Sequence, residues 1–461
     1  MNKKYIEDNK IAIIQRAFSE FLLLPSLIIL FFLFLSYFTY SIDQVKIGWL
    51  QPVRLLLKNH FFSNSEATSS LLGAIVSGTI SVTTLTTTLL LVIVQQSASS
   101  MTTQVFDQFL RRKTNQFYLG FFVGLALYSM ITLATVNPPF NPVIGGTVAF
   151  SLTGVALYLL VLLMYTTIDQ MRPSEIINAI HNRVLNARSR QLDMVAYTTI
   201  IKPDNNQKGK EVVTAKGGYL TYINTKKLAE FIAEHCRGSY IYFTKPIGTY
   251  VAHNEPIAEI VAPDETHIFL LAKEIIKQTT ISVKRDLDQD PSYGIVQIET
   301  IAWTSTSTAK SNPSPGTFCV HTLHNILSCW SEDEPVEKDT LCGSIYYCDD
   351  TIDQLMRSFE NLAVVSSESM QHQIFEAILD TFSKMLDRVP DQWQPKIERV
   401  ILIMLSVMGD HVLTTALDNS LNTLAAQLRY LGEKETAEAV DIATQQLRNS
   451  VGKLNSRSTR V

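Results

Sequence analysis

Charge is what this 461-residue chain is short of. Asp, Glu, Lys and Arg make up 18% of it, against about 25% in an ordinary soluble protein. The deficit is concentrated in three places. Phe21 to Ile42, Ala67 to Phe106 and Thr114 to Ile168 contain no charged side chain at all. Cysteine is also scarce: the five residues include no C-x-x-C pair, which argues against a zinc site. The formal net charge is only −4, so bulk electrostatics points to no nucleic-acid partner. Catalytic signatures are missing too. The chain has no G-x-x-x-x-G-K-[ST], no G-x-G-x-x-G after a strand, no H-E-x-x-H and no G-x-S-x-G, so neither an enzyme nor a bound cofactor is expected. His321-x-x-His324 has helical spacing, but beside Leu323 and Ile326 it reads as an ordinary exposed pair.

What is abundant is apolar sequence, 46% of residues, with a mean hydropathy of +0.12. A membrane-spanning helix needs about 20 mostly apolar residues. The charge-free runs supply four, near 21–41, 71–94, 117–136 and 147–167, the last two separated by Asn137-Pro138-Pro139. The first run is too long for the h-region of a signal peptide and reads as an anchor. No expected span contains Asp, Glu, Lys, Arg or His, which counts against proton relays and charged voltage sensors. Lipid is therefore the first expected partner.

Positive residues orient such helices. Lys3, Lys4, Lys10 and Arg16 precede the first span, and Arg111, Arg112 and Lys113 follow the second. Arg172, Arg183, Arg188 and Arg190 follow the fourth, while the loop between the third and fourth has neither Lys nor Arg. Both termini are expected in the cytosol.

The remainder divides by pattern. Residues 1–168 form the transmembrane domain and 169–194 a linker helix carrying Ile176, Ile177, Ile180, Val184 and Leu185 at helical spacing. A β-rich module is expected over 195–265, with strands at 195–201, 211–223 and 240–243. Lys245 to Ile260 resembles half of a barrel-sandwich hybrid, through Gly248, Val251, Pro256, Ile257 and Ile260. No lysine sits at a hairpin tip there, so a carrier function does not follow. Helical patterns dominate 266–450, at 266–279, 291–304, 317–330, 351–363, 368–387, 393–409, 412–431 and 434–449. Residues 451–461 read as a flexible tail. The expected fold is thus a four-helix polytopic membrane domain, a cytosolic mixed α/β module with a barrel-sandwich-like β part, and a C-terminal all-α region.

The second span carries the strongest functional pattern. Ser77, Ser81, Thr84, Thr88 and Gln95 lie within about 40° of one line at 100° per residue, and Gly73 extends the line. Two readings follow. Small polar residues let helices approach and hydrogen-bond, or the stripe lines a hydrated path of the kind that can conduct ions. Gly120-x-x-x-Gly124 in the third span is a helix-packing motif. The stripe and the large inside region together suggest a homo-oligomeric channel with a cytosolic regulatory domain, acting on an ion or cytosolic ligand that the sequence does not name. A membrane-anchored sensor or scaffold is the alternative.

The chain also resembles a family, the bacterial predicted membrane proteins of domain-of-unknown-function family 2254. The likeness runs from the first span to about Leu431. It rests on Gln95, Ser97 and Ser99, Phe109-Leu110, and Asn115-Gln116-x-x-Leu119-Gly120. It continues through Gly218-Tyr219-Leu220, Gly248-x-x-Val251, Arg285, Gln289-Asp290-Pro291, Gly294 and Ile301-Ala302. Thr102-Thr103-Gln104 stands where the family usually has Ser-Pro-Arg. After the Ile-Ala pair, Ser307 and Pro313 keep the family pattern, while Thr308, Ser311 and Asn312 depart from it. The resemblance implies a multi-pass protein of the bacterial inner membrane and carries no activity with it. The topology is directly testable. A cysteine introduced at Asn141 should react with an impermeant thiol reagent from the periplasm, while one at Ser456 should be protected in intact cells. Reversed labelling would defeat the orientation.

Overall fold

The computed structural model describes residues 22–45, 62, 64–100, 113–170, 172–200, 209–307, 312–332, 343–409, 411 and 413–450. Two units divide the chain, Met1–Arg172 and Pro173–Val461. The first is built from four helices: α1 (Leu23–Val45), α2 (Ser65–Ser100), α3 (Lys113–Ala134) and α4 (Val143–Gln170). Each is long and apolar enough to cross a membrane. The orienting cations Lys3, Lys4, Lys10, Arg16, Arg111 and Arg112 and the expected tail 451–461 lie outside the described residues.

Helix α1 runs further than expected and takes in Asp43, so the expectation that no span carries an ionisable residue is corrected. Asp43 is buried, and its two carboxylate oxygens accept from the Ile144 and Gly145 amides at 3.1 and 2.9 Å. Those amides open α4, where the first turn has no carbonyl partners of its own and the helix dipole favours an anion. Tyr128 of α3 donates to the Gly145 carbonyl at 3.1 Å and lies 3.1 Å from the Thr39 hydroxyl. Three helices are thus tied at one end. Further along, α1 and α3 touch through small residues. A Cβ at Gly120 would lie 2.9 Å from Pro25 Cα, and one at Gly124 would lie 2.5 Å from the Phe32 ring. Phe32 in turn meets Phe121 edge-on, centroids 5.4 Å apart.

The second unit begins with α5 (Pro173–Val195), whose Ile176, Ile177, Ile180 and Val184 are buried. It packs on α8 (Pro291–Thr306) and α9 (Pro313–Ser331), so this helix belongs to a core and does not merely link. Of the strand expected over 195–201, Val195 closes this helix and the described residues 196–200 form a turn, in which Thr199 makes a single parallel bridge to Tyr346. Two small sheets follow. One has the order β1 (Lys210–Val213), β5 (Pro256–Val261), β3 (Tyr240–Phe243), β7 (Ile345–Tyr346); the other β4 (Tyr250–Val251), β2 (Gly218–Ile223), β6 (Thr279–Ser282). All pairings are antiparallel except β3 with β7. The expected strand 211–223 is broken at 214–217, where the Thr214 hydroxyl donates to the Lys216 carbonyl and accepts from its amide, and the chain passes from the first sheet to the second.

Helices α6 (Thr225–His235) and α7 (Glu265–Gln278) contribute Leu228, Ile232, Leu271 and Ile275 to a core shared with Leu220, Ile241, Ile257, Ile260 and Ile345. Strands β6 and β7 come from beyond residue 265, so this β structure draws on a longer stretch than 195–265. The rest is helical: α10 (Thr351–Glu368), α11 (His372–Met385), α12 (Gln394–Val407), α13 (Thr415–Leu431) and α14 (Lys434–Ser450). The break between α10 and α11 falls at Met370, whose φ is 57°, and not near residue 364. The apolar face of α10 continues through Val365 and defers the stop.

Gly124→Ala tests the α1–α3 contact. The added methyl must displace the Phe32 ring, and overpacking of this kind costs about 1–3 kcal/mol. The expected result is a lower melting temperature of the detergent-solubilised protein, with Gly154→Ala unchanged because nothing lies within 4 Å of that position.

Candidate functional site

Helix α2 has two dissimilar faces. Thr68, Leu72, Ile75, Thr79 and Thr86 are buried against the other helices of the unit. Ser77, Ser81, Thr84, Thr88 and Gln95 are all exposed, on a line roughly 180° around the helix from the packed face. The structure therefore brings the five sequence-selected residues onto one outward surface. Gly73 lies at the edge of that surface with nothing within 4 Å of its Cβ position, whereas Gly120 and Gly124 face α1. Small residues thus do two separate jobs: the glycines of α3 close a contact within the protomer, and the stripe of α2 meets no other helix among the described residues.

The stripe hydroxyls bond along their own helix. Ser81 donates to the Ser77 carbonyl at 2.9 Å, Thr84 to Ile80 at 3.0 Å and Thr88 to Thr84 at 2.9 Å. A hydroxyl that donates backwards keeps its oxygen lone pairs for other partners. The outward surface is therefore a ladder of acceptor oxygens. Ile80, Leu85 and Val92 border it on both sides, and Glu66 stands exposed on the same line near one end. The outward faces of the neighbouring spans are different. On α1 they carry Leu27, Leu30, Phe31, Phe34 and Phe38, and on α4 Leu157, Tyr158, Val161, Tyr165 and Ile168. Such large apolar side chains suit lipid. Ser and Thr on a spanning helix are residues of helix interfaces or hydrated paths.

In the second unit, the motif residues of the β region and the helical region meet. Gly248 adopts φ 90°, and a Cβ there would overlap Asp290 Oδ2 and Arg285 Nη2. Asp290 is 2% exposed in its side chain; it takes Arg285 Nε and Nη2 at 2.8 Å each and caps α8 by accepting from the Tyr293 amide at 3.0 Å. Arg285 also lies 4.7 Å over the Tyr293 ring. Burial pushes the Asp290 carboxyl above its ordinary range, opposed by the Arg285 charge. Gly294, one turn into α8, sits against Val184 of α5. Sequence reading marked these residues as motifs without finding that they form one junction.

A second buried pair was not legible at all. Arg188 donates to Gln191 Oε1 at 2.7 Å and to Asp349 Oδ2 at 2.5 Å, and lies 5.4 Å over the Trp330 ring. Gln191 and Thr351 both donate to Asp349 Oδ1, at 3.2 and 2.6 Å. The partners are some 160 positions apart, so no local signal announces them. His321 is exposed and His324 half-buried on α9. Among the described residues no three His, Cys, Asp or Glu side chains gather to hold a metal. Cys236, Cys319 and Cys348 are free thiols.

Burial alone would raise the Asp349 pKa, but the Arg188 charge and the Thr351 hydrogen bonds outweigh it and hold the carboxyl below its ordinary value. Its folded pKa is therefore lower than its unfolded pKa. The resulting stabilisation is fully present above the unfolded value of about 3.9 and is lost as pH falls through the folded value. Asp349→Asn leaves Arg188 without its anion and should destabilise by about 3–5 kcal/mol at neutral pH. Chemical unfolding followed across pH should show the gap between wild type and variant narrowing below about pH 4.

No curated protein and no solved structure matches the chain. The profile of the predicted membrane proteins DUF2254 matches residues 19–370, a stretch that takes in all four spans, both sheets and helices α5 to α10. The match stops short of the expected Leu431. It includes the stripe of α2, the Gly120 and Gly124 contact and the Gly248–Arg285–Asp290 junction. On that coverage, the chain belongs to the DUF2254 family of predicted membrane proteins.

Proposed function

We propose that this membrane protein is a homo-oligomeric channel of the bacterial inner membrane, with both termini cytosolic and the second unit acting as its regulatory part. The observation that supports this reading is the contrast between outward faces. Those of α1 and α4 are large and apolar, while that of α2 is a line of hydroxyls and Gln95. A spanning helix of 36 residues is about 54 Å long, more than the hydrocarbon thickness of about 30 Å. Copies of α2 grouped around a common axis would remove the hydroxyl face from lipid and give the acceptor oxygens water or ions to bind. Because Ser81, Thr84 and Thr88 donate backwards, the hydroxyl part of the path offers acceptor oxygens, Gln95 adds an amide with both an oxygen and N–H donors, and Glu66 adds negative charge at one end. Cations are the expected permeants. The β part, with its two sheets over one core, is read as a barrel-sandwich-like structural module. No catalytic step is assigned to either unit.

A membrane scaffold is favoured instead if the same stripe is dry packing between copies, since back-bonded Ser and Thr also suit close helix contact. Light scattering in several mild detergents should give an oligomeric mass; a monomer in all of them would count against both assemblies. Thr84→Leu and Thr88→Leu separate the two. In a channel they dry the path, so planar-bilayer conductance falls while the oligomer persists. In a packed interface the larger side chains hold helices apart and the oligomer is lost. Reversal potentials in unequal salt should show cations preferred over anions. If conductance and oligomer are both unaltered by the two substitutions, the stripe has no such role.

A further inference from the structure

The second unit contains a cleft of about 580 Å³ between the end of α5 and the β2–α6 turn. That is the size range of small-molecule sites, about 300–1,000 Å³. Its lining combines three chemistries. Arg190 and Lys226 are exposed cations; one Arg190 N–H is held by the Asp288 carbonyl at 3.0 Å, which leaves its other donors for a ligand. Tyr197 and Tyr222 supply aromatic faces, with the Lys226 ammonium 6.0 Å from the centre of the Tyr197 ring. Asn224 and Gln289 supply side-chain amides. The floor is stiff: Thr225 is buried and donates to the Met194 carbonyl at 2.7 Å, joining α6 to α5.

We propose that this cleft binds a nucleotide. Two cations against one carboxylate, Asp193, favour an anionic ligand, and Arg and Lys are the usual partners of phosphate. A phosphate alone would leave the tyrosines and amides unused. A planar base can stack on Tyr197 or Tyr222, while Asn224 or Gln289 bonds its edge. Asp193 can accept from the hydroxyls of a sugar, which explains an acid in a cleft of basic character. The site deepens the regulatory role proposed for this unit, yet its occupancy does not require conduction.

Purified full-length protein in detergent tests it by calorimetry with ATP, AMP, adenosine and inorganic phosphate. Saturable binding of ATP and AMP is expected, with adenosine and phosphate each at least roughly tenfold weaker because each keeps only part of the contacts. Lys226→Gln and Tyr222→Ala should each weaken ATP binding about tenfold. Arg399→Gln, on a separate surface depression of α12, should not change it. Matching circular dichroism and melting curves confirm that the variants fold. The proposal is overturned if neither ATP nor AMP binds saturably, if phosphate binds as tightly as ATP, or if both cleft variants bind like wild type. A protein that binds ATP but passes no current defeats only the channel reading. One that conducts without binding ATP or AMP defeats only the nucleotide site.

Discussion

Hydrocarbon offers no hydrogen-bond partners, and the first unit is arranged around that constraint. Every polar group in its helices must find a partner inside the protein. The backbone does so by being helical. The hydroxyls of Thr39, Ser81, Thr84, Thr88, Thr132 and Thr147 do so by donating to a carbonyl one turn back. Helix ends are harder, because the first amides of a helix have no such carbonyl. Asp43 answers this at the start of α4 by accepting two of those amides at once. The carboxylate and the helix N-terminus satisfy each other, and Tyr128 ties α3 to the same point. In the stripe of α2 the Ser81, Thr84 and Thr88 donors are satisfied along the helix while their outward oxygens keep accepting capacity, which is why this face is the informative one.

Lipid also removes the hydrophobic driving force between helices, so contact must come from fit. Gly120 and Gly124 bring α3 onto Pro25 and Phe32 of α1 closer than any side chain would permit. The second unit is held together differently. Its sheets and helices bury ordinary apolar cores. Two of its ion pairs sit at junctions: Arg188–Asp349 joins positions 161 apart, and Arg285–Asp290, five apart, lies where Gly248 comes up against the start of α8. Each is braced by further bonds: a helix cap for Asp290, and Gln191 and Thr351 for Asp349. Such pairs add little net stability over an apolar replacement, but losing one partner strands the other. They fix which segment meets which.

The four spans, the β-rich start of the second unit and the helical remainder could all be read from pattern. Long charge-free runs and periodicities of 2 and 3.6 are local properties, and each survives in the folded chain. The errors occur where a longer-range contact overrides a local signal. Of the strand expected over 195–201, Val195 closes α5, and residues 196–200 turn so that Thr199 bridges Tyr346, far along the chain. The strand 211–223 breaks because its two halves join different sheets, with the turn between them at 214–217. Asp43 falls outside the expected span 21–41 because the partners that let its carboxylate be buried lie about a hundred positions away, at the start of α4.

Sequence alone determined that the chain crosses a membrane, which helix carries the hydroxyl line and which residues form it. The reason is that a charge-free run and a stripe at helical spacing depend only on residue order and helix geometry. Only tertiary structure decided which way that line faces. The opposite side of α2, with Leu72, Ile75 and Thr79, is the one that packs, and periodicity cannot tell a packed face from an open one when both are uncharged. Tertiary structure likewise gathered Gly248, Arg285 and Asp290 into one junction and opened the cleft beside Lys226. Those placements rest on contacts between distant segments, which no window along the chain contains.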